Sequence, residues 1–254
     1  MKMWTCSKIA ALKGKQRFAC VTASDAVSGC IADSADIPLI LVGDSLGMTV
    51  LGFSSTLPVT MEMMLHHTAA VVRGVKNALV VADMPFMSYQ TSEADAIRNA
   101  GRFLQEAGAD AVKIEGGAFR APLVRALVQN GIPVLGHIGL TPQSVLTMGG
   151  FRRQGKTPAA VRQLLKDAKA LQSAGVFAVV VECVPDEVGK LLSESLSVPV
   201  IGIGAGSACD AQILVFNDLV GLTGDQKPSF AGCFGNAGQV MRRACEQFRK
   251  SVEK

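Results

Sequence analysis

The sequence predicts a closed (β/α)8 barrel, a TIM barrel, folded as a single domain. Three observations carry this expectation. Short apolar runs rich in Val, Ile and Leu alternate with longer amphipathic stretches along the chain, the pattern of parallel βαβ units. Ionisable residues recur at the C-terminal ends of the apolar runs. The length of 254 residues matches the roughly 250 that one such barrel uses. A doubly wound open sheet is the alternative, and the number of apolar runs, eight, favours closure.

Taken in order, the candidate strands are 17–22, 38–42, 78–83, 110–115, 133–137, 177–182, 199–203 and 211–216, the last being the least apolar. Between them lie helical patterns. Thr60 can cap a helix with Met61, Met64, Leu65, Thr68 and Val72 on one face. A second runs from Ser92 to Ala107 and is closed by Gly108. A third has Thr157 as cap, Pro158 in its first turn, Ala174 at its end and Gly175 as its stop. The repeated Ala-Gly pairs at 107–108 and 174–175 are the turns expected between helix and following strand. A C-terminal helical segment is expected over about 229–251, with Arg242, Arg243, Arg249 and Lys250 on its solvated face.

Composition narrows the functional classes. Hydrophobic residues make up 49% of the chain and aromatics only 5%, so the core must be built from branched aliphatics, Ala and Met, which suit buried parallel strands. The net charge of +4 is small and dispersed, and one Trp and one Tyr supply no basic-aromatic stripe, which argues against nucleic acid as partner. Seven cysteines, an odd number without a CxxC pair, predict neither a disulfide framework nor structural zinc. Reduced thiols point to the cytoplasm. The mean hydropathy of +0.32 is high. Even so, the most apolar stretch, 37–53, is broken by Asp44 and three glycines, so no membrane span is expected, and the N-terminus has Lys2 but no long apolar run before Lys8, so no signal peptide is expected. A buried sheet, with a subunit interface, accounts for the apolar content better.

The chemistry gathers at strand ends. Asp44 and Asp83 close the second and third apolar runs, Lys113 and Glu115 the fourth, His137 the fifth and Glu182 the sixth. In a barrel these ends converge on one mouth, where active sites of the fold lie. A single acidic residue there reads equally well as a helix cap; a set in register does not. Asp44 and Asp83 are the candidate ligands of a divalent metal. Carboxylates without thiols suit a hard cation such as Mg²⁺. Glu115 fits either as a further ligand or as the holder of a bound water. A purely structural Asp–Lys network around Lys113 is the competing explanation. Lys113 and Glu115 are two apart in a strand and so share one face.

His66 and His67 are adjacent on a helix, without the i, i+4 spacing of a metal pair, and read as packing residues. His137, between Gly136 and Ile138, is either a packing residue or a substrate contact. The turn Gly202-Ile-Gly-Ala-Gly206 exposes backbone N–H groups that suit a phosphate or simply a tight turn; it lacks the dinucleotide spacing.

The motifs LVGDSLGM (41–48), STLPVT (55–60), HT (67–68), ADMPFM (82–87), VKIEGG (112–117), GHIGLTPQ (136–143), ECVP (182–185) and IGIGAG (201–206) run in order and closely resemble those of the ketopantoate hydroxymethyltransferases. This resemblance implies a (β/α)8 barrel with Mg²⁺ at Asp44 and Asp83 and Glu115 beside it. It implies substrate contacts from Asp44, Ser45, Asp83 and Lys113, and Glu182 as proton acceptor. The implied reaction moves a hydroxymethyl group from 5,10-methylenetetrahydrofolate to 3-methyl-2-oxobutanoate. The product is 2-dehydropantoate (ketopantoate), and the step is the first committed one towards pantothenate and coenzyme A. It further implies a homo-oligomer, a decamer. The chain departs from the family pattern at Ser24, where Tyr is usual, at Phe53-Ser54, where His-Asp is usual, and at Asn217 in place of His; from Gly224 onward the match is poor. Two other readings stand beside this one. The first is a Mg²⁺-dependent carbon–carbon lyase of the isocitrate lyase-like barrel type, which would need no folate. The second is an inactive ligand-binding barrel.

Overall fold

The computed structural model describes residues 2–223 and 232–253. Eight strands, β1 (Phe18–Thr22), β2 (Leu39–Val42), β3 (Leu79–Asp83), β4 (Ala111–Glu115), β5 (Val134–Gly139), β6 (Ala178–Glu182), β7 (Val200–Ile203) and β8 (Ala211–Leu214), close into one barrel in sequence order. Every neighbouring pair is parallel, and β8 returns to pair with β1. The helices are α1 (Cys6–Ala10), α2 (Ala26–Ser34), α3 (Leu46–Thr49), α4 (Met61–Gly74), α5 (Glu93–Gln105), α6 (Ala121–Gln129), α7 (Pro158–Ala174), α8 (Asp186–Ser195), α9 (Phe216–Leu219) and α10 (Ala237–Val252).

Local chemistry sets the helix ends. Thr60 accepts from the Met63 N–H at 3.3 Å, Ser92 from Asp95 N–H at 3.1 Å and Thr157 from Ala160 N–H at 3.2 Å, so each side chain satisfies one of the free donors of a first turn. Gly175 takes the left-handed conformation, φ 102°, that ends α7.

The period of two along each strand sorts the apolar side chains into two cores. Val21, Ile40, Val80, Val112, Val134 and Val179 pack outward against the helices. Cys20, Leu39, Leu41, Leu79, Val81, Ala111, Leu135, Val180, Ile201 and Ile213 fill the barrel interior. Ile9 of α1 is fully buried against that inner set, with Trp4, Cys6 and Leu12 around it.

Three carboxylates sit at or near the N-terminal ends of strands. Asp33, at the end of α2, accepts from the N–H groups of Lys76, Asn77 and Ala78 at 2.9, 3.0 and 2.7 Å. Asp110, before β4, accepts from Val80 N–H at 2.8 Å and pairs with Lys2. Asp210, before β8, accepts from Val200 N–H at 2.9 Å and pairs with Lys13. These residues tie one strand's start to its neighbour.

Several boundaries differ from the sequence reading. The eighth strand ends at Leu214, not 216, because the chain turns at Val215 into α9. The fifth strand runs on to Gly139. The C-terminal helix begins at Ala237, not near 229; residues 232–236, with Gly232 and Gly235, are not helical, and 229–231 lie outside the described residues. No helix was named from the sequence at α1, α2, α6 or α8.

Candidate active site

The polar strand ends form the top layer of the barrel interior. Asp83, Lys113, Glu115, His137 and Glu182 continue, two residues at a time, the inward face that Val81, Ala111, Leu135 and Val180 occupy below them. Register brings them together: Asp83 lies beside Lys113, and Glu115 beside His137. Asp44 belongs to the other parity. It comes in because β2 stops at Val42 and the chain turns, with the Asp44 N–H donating to Asp83 Oδ2 at 3.2 Å.

Gly139 makes the next junction possible. Its φ is 92°, and a Cβ there would collide with the Glu182 carbonyl, so only glycine lets the ends of β5 and β6 approach this closely. Cys183, directly after Glu182, is itself left-handed at φ 51°.

The ring is densely paired. Lys113 Nζ lies 2.8 Å from Asp83 Oδ1, 3.5 Å from Glu115 Oε1 and 3.2 Å from His137 Nδ1. His137 Nδ1 is 3.4 Å from Glu115 Oε1, and its Nε2 faces Glu182 Oε2 at 3.3 Å. The Lys113–Asp83 and His137–Glu182 contacts are ion-pair distances without hydrogen-bond direction, so Asp83 Oδ1 and His137 Nε2 are buried with no hydrogen-bond partner among the described residues. Gln143, in the 3-10 turn Pro142–Ser144 after β5, joins the ring from above. Its Nε2 donates to Asp44 Oδ2 at 2.9 Å and its backbone N–H to Glu115 Oε2 at 3.0 Å.

Charge follows from this crowding. Burial, and then Asp83 and Glu115 nearby, push the Asp44 carboxyl well above the usual range. Burial likewise raises Asp83, against the opposing pull of Lys113. Burial works against a charged Lys113, but Asp83, Glu115 and Asp44 outweigh it and raise the ammonium's pKa. Glu115 is held low despite burial by Lys113 and His137. His137 is raised against burial and the Lys113 charge by its contacts with Glu115 and Glu182. Three carboxylates thus face one lysine, a deficit of positive charge that a divalent cation would fill. The donors are hard oxygens, and Asp83 Oδ1 is buried and lacks a directed partner. The residues fit such a cation. Among the described residues no group of three or more His, Cys, Asp or Glu side chains is arranged to hold a metal ion by itself.

A cavity of about 890 Å³ opens above this ring. Asp44, Ser45, Asp83, Lys113, Glu115, His137 and Glu182 all line it, so every site residue singled out in the sequence reaches one space. Its outer wall includes Phe53, Ser54 and Phe151. Two of the departures from the family pattern therefore face the cavity. Ser24 does not; its carbonyl receives a ring nitrogen of His67 at 2.6 Å. Asn217 donates to the Thr49 carbonyl at 3.0 Å. His66 and His67 stay outside the cavity, their rings edge to face. In the 201–206 turn only Ile203 lines it. Sequence reasoning gave no role to Gln143, to Tyr89 behind it or to Thr56, whose hydroxyl is buried without a partner at the cavity wall. The one available signal was that Gln143 ends the GHIGLTPQ motif.

Comparison with known proteins places the chain in a family. The family model for ketopantoate hydroxymethyltransferase matches residues 3–254. A 3-methyl-2-oxobutanoate hydroxymethyltransferase of Clostridium botulinum (strain Langeland / NCTC 10281 / Type F) is 54% identical over 98% of this chain and 91% of its own length. One from Moorella thermoacetica is 53% identical over 98% and 93%. Among solved structures, 2,3-dimethylmalate lyase, a PEP mutase/isocitrate lyase superfamily member, aligns with a TM-score of 0.64 at 18% identity, covering 98% of this chain and 86% of that one. A phosphoenolpyruvate phosphomutase from Streptomyces platensis subsp. rosaceus aligns at 0.62 and 14% identity, over 98% and 87%. At such identities the structural likeness speaks to the barrel alone.

Proposed function

The chain belongs to the ketopantoate hydroxymethyltransferase family, and from that premise we propose that the barrel mouth performs the family's transfer with the residues gathered there. The activity is that of a 3-methyl-2-oxobutanoate hydroxymethyltransferase, forming ketopantoate on the way to pantothenate and coenzyme A. The observation that carries the assignment of residues is the single ring in which Asp44, Asp83, Lys113, Glu115, His137 and Glu182 line one cavity.

The substrate's C3–H is weakly acidic and must be activated next to a keto group. Asp44 and Asp83 are the proposed holders of Mg²⁺, with Glu115 beside them. A divalent cation bound there supplies Lewis-acid polarisation of the 2-oxo acid. Lys113, kept cationic by its three carboxylate neighbours, meets the substrate's negative charge, and Ser45 offers a hydroxyl at the same wall. Glu182 takes the proton from C3. Its side chain is 16% exposed where those of Asp83, Lys113, Glu115 and His137 are 2–4%, so it is the ring member most open to a substrate in the cavity. His137 Nε2 faces that carboxylate at 3.3 Å from the neighbouring strand β5 and is a further substrate contact in the same cavity. The resulting carbon nucleophile attacks the methylene carbon of 5,10-methylenetetrahydrofolate, the proposed donor. The methylene's two carbon–nitrogen bonds both break, one as the carbon–carbon bond forms and the other as water supplies the hydroxyl, and the C3 proton and a proton of the water end on the two folate nitrogens. The outer part of the cavity, with Phe53 and Phe151, has the aromatic surface that a pterin would stack on.

The reading also covers the assembly and its setting. Exposed apolar side chains such as Val27, Ile31, Phe119 and Phe248 support a homo-oligomer, which the family resemblance makes a decamer. The seven free cysteines support a cytoplasmic location. No described helix is long and apolar enough to cross a membrane.

The test is to incubate the protein with Mg²⁺ and 3-methyl-2-oxobutanoate in D₂O, with and without methylenetetrahydrofolate. Deuterium entering C3 without folate, and ketopantoate forming only with it, is the expected result. Cleavage of an oxo or hydroxy acid without folate would favour the lyase reading, and neither reaction would leave a ligand-binding barrel.

A further inference from the structure

Gln143 is held so that its amide can point only one way. Tyr89 Oη lies 2.6 Å from Oε1, which accepts, and Gln90 Nε2 approaches the same oxygen at 3.5 Å. On the other side, Nε2 donates both its hydrogens to pure acceptors, Asp44 Oδ2 at 2.9 Å and the Met84 carbonyl at 2.9 Å. Flipping the amide would set its carbonyl against two acceptors and its NH₂ against the Gln90 amide, so the network fixes the orientation. The backbone N–H of the same residue donates to Glu115 Oε2 at 3.0 Å. Tyr89 is 2% and Gln143 5% exposed, so no bulk water competes for these bonds. Among the described residues Asp44 has no lysine at hydrogen-bond distance: Lys113 Nζ pairs with Asp83 and Glu115. Gln143 is the side chain that restrains the Asp44 carboxylate, and it reaches the Glu115 carboxylate through the main chain.

We propose that Gln143, locked in orientation by Tyr89, is a positioning residue that fixes the carboxylates of Asp44 and Glu115 for the divalent cation and its oxo acid. This rests on the reading of the mouth as a cation site. Gln143 occupies Asp44 Oδ2 and Glu115 Oε2 and so determines which oxygens are left for a cation or its water. Without it, Asp44 is free to rotate within a crowded set of like charges. Partners of this kind typically change metal affinity by about 10–100-fold when removed.

The experiment uses the purified full chain titrated with Mg²⁺ alone in a calorimeter, with thermal unfolding measured in parallel. The variants are Gln143→Met, Tyr89→Phe and the double variant. Gln143→Met is expected to weaken Mg²⁺ binding by about 10–100-fold, and Tyr89→Phe to weaken it less in the same direction. The double variant separates positioning from mere packing. Removing both partners eliminates the buried tyrosine hydroxyl that Gln143→Met strands, so stability should recover relative to that single variant. Mg²⁺ affinity should not recover, because Asp44 still lacks its donor. Affinity tracking stability across the three variants would overturn the inference, as would wild-type affinity in Gln143→Met. If Gln143→Met does not fold, unchanged affinity in Tyr89→Phe overturns it equally. A wild-type chain that takes up no Mg²⁺ removes the cation reading and this inference with it; binding by the wild type and by every variant alike removes the positioning role alone.

Discussion

The proposed mechanism gives Glu182 and the pair Asp44–Asp83 different tasks in one cavity, and single substitutions should separate them. Glu182→Gln keeps the shape and removes the basic lone pair. Hydrogen exchange at C3 of 3-methyl-2-oxobutanoate, followed by NMR without folate, is expected to slow by the roughly 10²–10⁴-fold typical of a general base, while Mg²⁺ binding persists. Near-normal exchange would pass the role to His137. Asp44→Ala and Asp83→Ala should do the reverse first and remove most Mg²⁺ affinity in calorimetry, with the fold retained by circular dichroism. Binding unchanged in both would reject them as ligands. The strand-end residues were legible in the sequence because each is a charge closing an apolar run. Gln143 was not: a neutral amide after a proline turn has no such contrast, and its partners Tyr89 and Asp44 are 54 and 99 residues away.

Elements meet through carboxylates and glycines that take no part in the chemistry. Asp33 ties the end of α2 to the start of β3 by accepting three backbone N–H groups. Replacing it with Ala strands those donors and should cost about 1–3 kcal/mol of stability. Burial would raise this carboxyl, but the three N–H groups and the Lys2 charge hold it below the ordinary range. Its stabilisation is therefore full above the unfolded value of about 4 and is lost as pH falls through the lower folded value. Chemical denaturation of wild type and Asp33→Ala should show a gap at neutral pH that closes only in strong acid; a gap that widens on acidification would contradict this. At the opposite end, Gly139→Ala meets both a left-handed φ and the Glu182 carbonyl. We expect a loss of about 1–3 kcal/mol and slower C3 exchange, because the ends of β5 and β6 must part. Capped helices such as α4, α5 and α7 were readable from Thr60, Ser92, Thr157 and Gly175. The segment that became α1 was not read: Thr5 caps it, but its five residues are too few to show a period, and Ile9 finds its place only against the barrel interior.

At the scale of the whole molecule, the protomer leaves large apolar groups in water. Val240, Met241, Phe248 and Val252 of α10 are each 58–72% exposed, and no residue of that helix is buried. A strongly amphipathic helix with its apolar side uncovered needs a partner surface. Sedimentation at micromolar concentration should give a homo-oligomer, a decamer about ten times the 26.6 kDa chain mass. Only monomer would reject this. By itself, the sequence determined the parallel βαβ class, the succession of strands along the chain and which charged residues close them, because alternation of apolar runs with capped helices and the period of two are local properties of the chain. Tertiary structure alone decided how those charges meet. Closure of β8 on β1, the register that sets Asp83 beside Lys113 and Glu115 beside His137, the turn that carries Asp44 against its strand parity, and the capture of its carboxylate by Gln143 all join residues far apart in sequence. Such contacts depend on how eight strands share one axis, and no window of neighbouring residues contains that information.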